Sequence, residues 1–135
     1  MDWDQRRYVA VPDTLDHGAP WTRFGAAMGG HQSGPVEAMW RMYEAQSLKD
    51  ATMARSIGLA LATASPTGRV LHVQGRFHSD YHAGVPAYLQ RLMPDQALRV
   101  LTVLPVATAA DAVIGKDADV ADIVVYVKTE AAATD

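Results

Sequence analysis

Arg69-Val70-Leu71-His72-Val73-Gln74-Gly75, preceded by the breaker Ser65-Pro66-Thr67-Gly68, is the stretch that decides the fold class. Its β-branched and aliphatic residues predict a strand. Odd and even positions are both largely apolar, the pattern of an interior strand covered on two faces, as in the parallel sheets of α/β proteins. Reading toward the carboxyl end, Gly84-Val85-Pro86 starts a helix that runs to about Met93, with Tyr88, Leu89 and Leu92 on its apolar side. A strand over Leu98 to Val106 comes next, and Asp122-Ile123-Val124-Val125-Tyr126-Val127-Lys128 is the last. Strand, helix, strand predicts an α/β domain: a small, mostly parallel sheet of about three strands packed with one long and one shorter helix.

Reading toward the amino end, no Gly or Pro interrupts the chain between Pro35 and Gly58, and the segment is rich in Ala, Met, Glu, Gln and Leu. That composition predicts the long helix. Ser33 or Gly34 can cap it, Pro35 suits its first turn, and Glu37 complements the positive end of its dipole. Pro12, Gly18, Pro20, Gly25, Gly29 and Gly30 crowd the region before it. This predicts an irregular arm over 1–33 with one short helix near Trp21 to Met28. The expected organisation is therefore the arm, an α/β domain over 34–128, and a disordered tail over 129–135.

The 135 residues suffice for one domain. Apolar residues make up 49% and charged residues 20%, so the chain has globular rather than disordered composition. The net charge of −3 and dispersed basic residues argue against nucleic acid as a partner. Without cysteine there is no disulfide, thiolate metal site or catalytic thiol. No run approaches the roughly 18 to 20 apolar residues of a membrane span. Met1 to Arg7 mixes acids with arginines, so no export signal is expected. The Gly-x-Ser-x-Gly, phosphate-loop, dinucleotide and His-Glu-x-x-His signatures are missing.

Two groups of residues carry the candidate chemistry. On the long helix Met39, Met42, Tyr43, Gln46, Asp50, Met53, Ile57 and Ala60 recur at steps of three and four. An amide and a carboxylate, Gln46 and Asp50, thus lie in an otherwise apolar stripe. Buried there, they need partners, either loop backbone or a ligand. The second group is the loop Gly75-Arg76-Phe77-His78-Ser79-Asp80-Tyr81-His82, which leaves the first strand where α/β sheets collect ligands. Alternation would bring His78, Asp80 and His82 to one side, a set suited to iron, zinc or manganese. His78 beside a carboxylate would equally suit general-base work. His72 reads as a core histidine. Tyr43, Tyr81 and Tyr88 could each offer a phenolate to ferric iron or simply pack, and six methionines suit either a flat ligand or an ordinary core.

The run Tyr43 to Ile57, with Gln46, Asp50 and Met53, followed by Val70 to Val73 and Gly75-Arg76-Phe77-His78-Ser79-Asp80, resembles the ChaN-like haem-binding family. The similarity spans roughly Trp40 to Val106. It relates the chain to a wider clan of TraB, Tiki and erythromycin-esterase-like proteins, some of them metal-dependent hydrolases. The resemblance implies an α/β fold, haem or iron association in uptake or handling, a homodimer, and a bacterial cell-envelope setting. It carries Gln46, Asp50 and Met53 over from the helix signature, and Gly75, His78 and Asp80 from the loop. Tyr43 and Tyr81 stand as candidate haem ligands. The strand with a Gly-Glu-x-His-like motif that opens such chains is absent, so the expectation is a partial, C-terminal portion of the fold. The leading functional expectation is a haem-binding module. The alternatives are a hydrolase in which His78 and Asp80 help hold a divalent ion, and a degenerate self-associating domain without catalysis.

Overall fold

The computed structural model describes residues 9–12, 15, 17–28, 36–113 and 115–129. Of the expected arm over 1–33, residues 1–8, 13, 14, 16 and 29–33 fall outside these residues. So do the proposed cap at Ser33, Gly34 and Pro35, and the tail beyond Thr129.

The helices are where the composition puts them. α1 spans Ala19–Ala27, with Pro20 in its first turn, and α2 is a 28-residue helix over Val36–Thr63 with Glu37 near its start. α3 spans Val85–Leu92 and carries Pro86 in its first turn. α2 and α3 meet through one face of each: Ala54, Ile57, Val85 and Leu89 are buried together. Met53, Leu61, Tyr88, Met93 and Leu98 pack around that core. At the other end of α2, rings take over from aliphatic side chains. Tyr43 lies 5.3 Å from Trp21, 5.4 Å from Phe24 and 5.4 Å from Trp40, centroid to centroid, and Phe24 lies 5.9 Å from Phe77. This cluster ties α1 and the loop after residue 75 to the same helix.

The fold is α/β, and among the described residues its sheet has two strands rather than the expected three. β1 (Leu101–Val106) pairs in parallel with β2 (Ile123–Lys128), with Leu101 opposite Ile123 and Val106 opposite Lys128. Thr102 and Leu104 point inward, while Leu101, Val103, Ile123, Val125 and Val127 stay exposed. The expected interior strand over 69–75 does not join the sheet. Its side chains are exposed, Leu71 at 90% and Val73 at 83%. Strand composition makes a segment competent to pair, but the ladder needs a neighbour, and β1 bonds only to β2. Pro105 within β1 removes one amide donor, which an edge strand tolerates.

Candidate functional site

The candidate site is built where α2 faces the loop over 75–84. Gln46 and Asp50, one turn apart on α2, both reach His78. Nδ1 of His78 lies 2.5 Å from Asp50 Oδ1, and Gln46 Nε2 lies 2.7 Å from Nδ1 and 3.1 Å from Nε2. When Nδ1–H donates to the carboxylate, Nε2 is left to accept from the Gln46 amide. Burial raises the Asp50 carboxyl above its ordinary range, because a charge there loses water. The hydrogen bond and the charge of His78 offset part of that rise, and Lys49 a little more.

The loop itself is strained in a localised way. Tyr81 and His82 have φ of 63° and 55°, and Gly84 has φ 57°. Tyr81 N–H donates to Val120 O at 2.6 Å. His82 Nε2 lies 3.0 Å from Asp122 Oδ2. Asp80 accepts from Arg76 Nε at 2.8 Å and from the Thr102 hydroxyl at 2.8 Å. These bonds hold two non-glycine residues in the left-handed region, at a cost of about 1–3 kcal/mol each. Asp122 anchors the same end of the sheet. The Val100 amide, first, and then His82 hold its carboxyl below the usual carboxylate range. Thr102, Val120 and Asp122 lie at the amino ends of the strands, so the loop packs there and not beyond a carboxyl end. The expected location followed from a strand over 69–75, and that strand does not form.

Between α1, α2, the loop and α3 lies a cavity of about 750 Å³. Phe24, Tyr43, Phe77, Tyr81 and Tyr88 supply its rings, Gln46, Ser47, Asp50, Asp80 and Asp119 its polar edges, and Arg23, Arg76 and Arg91 its cations. The volume suits a small organic ligand. The Arg23 guanidinium lies 4.3 Å from the centroid of the Tyr81 ring, and that of Arg91 lies 5.4 Å from the Tyr88 ring.

The sequence-predicted residues are distributed unevenly over this geometry. Gln46, Asp50 and His78 come together, and Tyr43 and Tyr81 line the cavity. Met53 packs against the α2–α3 core instead, since its step along the helix turns it toward Ile57 and Val85. Gly75, at φ −64°, has only the His78 ring within 4 Å of where a Cβ would lie, so neither its backbone nor the space requires glycine. His78, Asp80 and His82 do not converge. Short helical turns over 76–78 and 80–82 replace the extended alternation and send the three side chains to Asp50, to Arg76 and Thr102, and to Asp122. Among the described residues no group of three or more His, Asp or Glu is placed to hold a metal ion. His72 is exposed, with Gln74 3.2 Å away, and is not a core residue.

Sequence reasoning missed Gly84 and the arginines. A Cβ on Gly84 would come 2.6 Å from His78 O and 2.9 Å from Asp50 Oδ2. Glycine there lets the loop close against α2. The signal was the Gly-Val-Pro run, read only as a helix start. Arg23, Arg76 and Arg91 are far apart in sequence, and only the packing of α1 and α3 around the loop gathers them.

The scaffold is α/β, and its aromatic, arginine-edged cavity has room for a small organic ligand. The family described as haem-binding uptake, Tiki superfamily, ChaN matches residues 2–89, more than half of the chain, and the chain belongs to that family. The match takes in α1, α2, the loop and most of α3, so it reaches into the arm that the sequence reading had left outside the resemblance, and it stops short of β1. No curated protein and no solved structure is a significant match. No helix among the described residues is long and apolar enough to cross a membrane.

Proposed function

We propose that this chain binds haem in the cavity between α1, α2, the loop and α3, as a module of haem handling. The observation that carries the reading is the lining: five aromatic side chains and three arginines around about 750 Å³. Flat rings suit the faces of a porphyrin, burial of the macrocycle supplies the hydrophobic driving force, and guanidinium groups suit its propionates. Bound haem would supply its iron as a redox-active, ligand-accepting centre. Phe24, Phe77, Tyr81 and Tyr88 would flank the ring, with Arg23 and Arg91 at its carboxylates.

His78 takes a different part from the one its motif suggests. It is absent from the cavity wall, and its two nitrogens face Asp50 and Gln46. It acts as a positioning residue that fixes the loop to α2. The hydrolase alternative needs His78 and Asp80 on one ion, and these side chains are committed to different partners.

Titration with haemin tests the reading. The expected result is a saturable Soret change with quenching of tryptophan emission, since Trp21 and Trp40 stand in the ring cluster beside the cavity. His78→Ala should weaken binding without moving the Soret maximum of the bound form. A spectrum that only sums those of protein and free haemin up to about 100 μM, on the order of 5 kcal/mol of binding energy, overturns it. Sedimentation with and without haemin tests the homodimer that the family resemblance implies.

A further inference from the structure

We infer that Arg23 and Arg91 select the ligand by its carboxylates, so that the cavity retains a tetrapyrrole diacid with or without iron. The inference rests on the haem reading and goes beyond it by naming which chemical feature of the ligand is recognised.

The first support is the state of the cations on the wall. Arg76 is committed to Asp80 at 2.8 Å. Arg23 and Arg91 face aromatic rings and have no carboxylate partner among the described residues. Three acids share the lining. Asp80 is answered by Arg76 and Thr102, and Asp50 is bonded to His78. Asp119 is the remaining acid of the lining, and it forms no ion pair with Arg23 or Arg91 among the described residues. Both arginines are exposed while lining the cavity, which places them where charged groups can bind and keep contact with water. They come from separate elements, α1 and α3, so each can meet a different carboxylate. A cation held over a ring also loses less freedom when a carboxylate arrives.

The second support is the state of the groups that could ligate iron. His78 is bonded to Asp50 and Gln46, His82 to Asp122, and His17 is stacked on Trp40 at 4.3 Å. Met53 is turned into the α2–α3 core. Tyr43 stands among three rings, while Tyr81 and Tyr88 each carry a guanidinium over the ring face. Among the described residues the wall presents aromatic rings, including those of Tyr43, Tyr81 and Tyr88, and arginines, and no histidine or methionine lines it.

The test compares haemin, iron-free protoporphyrin IX and its dimethyl ester, followed by tryptophan quenching on the wild-type chain and on Arg23→Gln and Arg91→Gln. Protoporphyrin should bind within about tenfold of haemin, and the ester should bind at least about tenfold more weakly than the diacid. Each substitution should weaken the diacid by about tenfold and leave the ester within about threefold of its wild-type affinity. The ester comparison uses unaltered protein, so a folding defect in a variant cannot produce its result. Equal binding of ester and diacid would overturn the inference. So would haemin binding about a hundredfold more tightly than the iron-free ring, which would assign affinity to the metal. If haemin itself fails to bind, the haem reading falls and takes this inference with it, an outcome distinct from the other two.

Discussion

At the scale of single residues the site depends on one glycine and one acid. Gly84 occupies φ 57° and ψ −125°, and the missing Cβ is what lets His78 O and Asp50 Oδ2 approach. Gly84→Ala should cost more than about 2 kcal/mol, because left-handed strain of about 1–2 kcal/mol adds to a clash with backbone that cannot rotate away. A urea midpoint lowered at unchanged slope measures it. Asp50 behaves in the opposite sense. Its raised pKa means that the folded state holds the proton more tightly than the unfolded chain does. The cost of burying the charge is therefore felt at pH above the raised pKa, and it is relieved as pH falls toward the unfolded value of 3.8. Asp50→Asn should accordingly melt at the same temperature as wild type or higher at pH 7, with the advantage shrinking on acidification toward pH 4. A lower melting temperature at pH 7 would mean that His78 returns more to the charged form than burial takes away.

At the scale of elements, Thr102 connects the sheet to the loop. It is 2% exposed and its hydroxyl donates to Asp80, the residue that also holds Arg76. Thr102→Val keeps the shape and strands a buried carboxylate oxygen, so the expected loss is about 1–3 kcal/mol. Thermal melts of the two proteins, with haemin affinity measured beside them, would show whether the loop loosens with the strand. Segment 69–75 carries the contrary expectation. With Leu71 90% exposed, Leu71→Lys should change stability by less than about 0.5 kcal/mol, whereas a lysine in an interior strand would cost several. The contrast also shows what was legible in the chain. Helix periodicity is local, so α2 and the placing of Gln46 and Asp50 on one of its faces could be read from spacing, whereas their meeting with His78 appears only in the fold. Strand pairing is a long-range property, and Val70 to Val73 carry strand composition whether or not a neighbour offers a ladder. The short turn over 80–82 is tied by bonds to Val120 and Asp122, about 40 residues away, so the alternation of His78, Asp80 and His82 had no way to reveal it.

At the scale of the whole molecule, the folded chain holds little apolar core in reserve. Among the described residues no large side chain is less than 2% exposed, and the outward residues of β1 and β2 remain in contact with water. Two clusters, aliphatic between α2 and α3 and aromatic between α1, α2 and the loop, lie along α2, and the cavity lies against the aromatic one. A ligand filling that cavity touches α1, α2, the loop and α3 at once, and so adds contacts where α1 meets α2 and where the loop meets α3. Such a ligand binds the folded state alone, and at a hundred times its dissociation constant mass action adds about 2.7 kcal/mol of stability. For a domain of this size that corresponds to a rise on the order of 10 °C in melting temperature. Haemin at saturation should produce this rise in the wild-type chain, with the increment growing with the logarithm of ligand concentration. Differential scanning calorimetry at several haemin concentrations checks both features. Haemin bound tightly by absorbance with no such rise would place the ligand on a surface that survives unfolding, and would remove it from the cavity that α1, α2, the loop and α3 enclose.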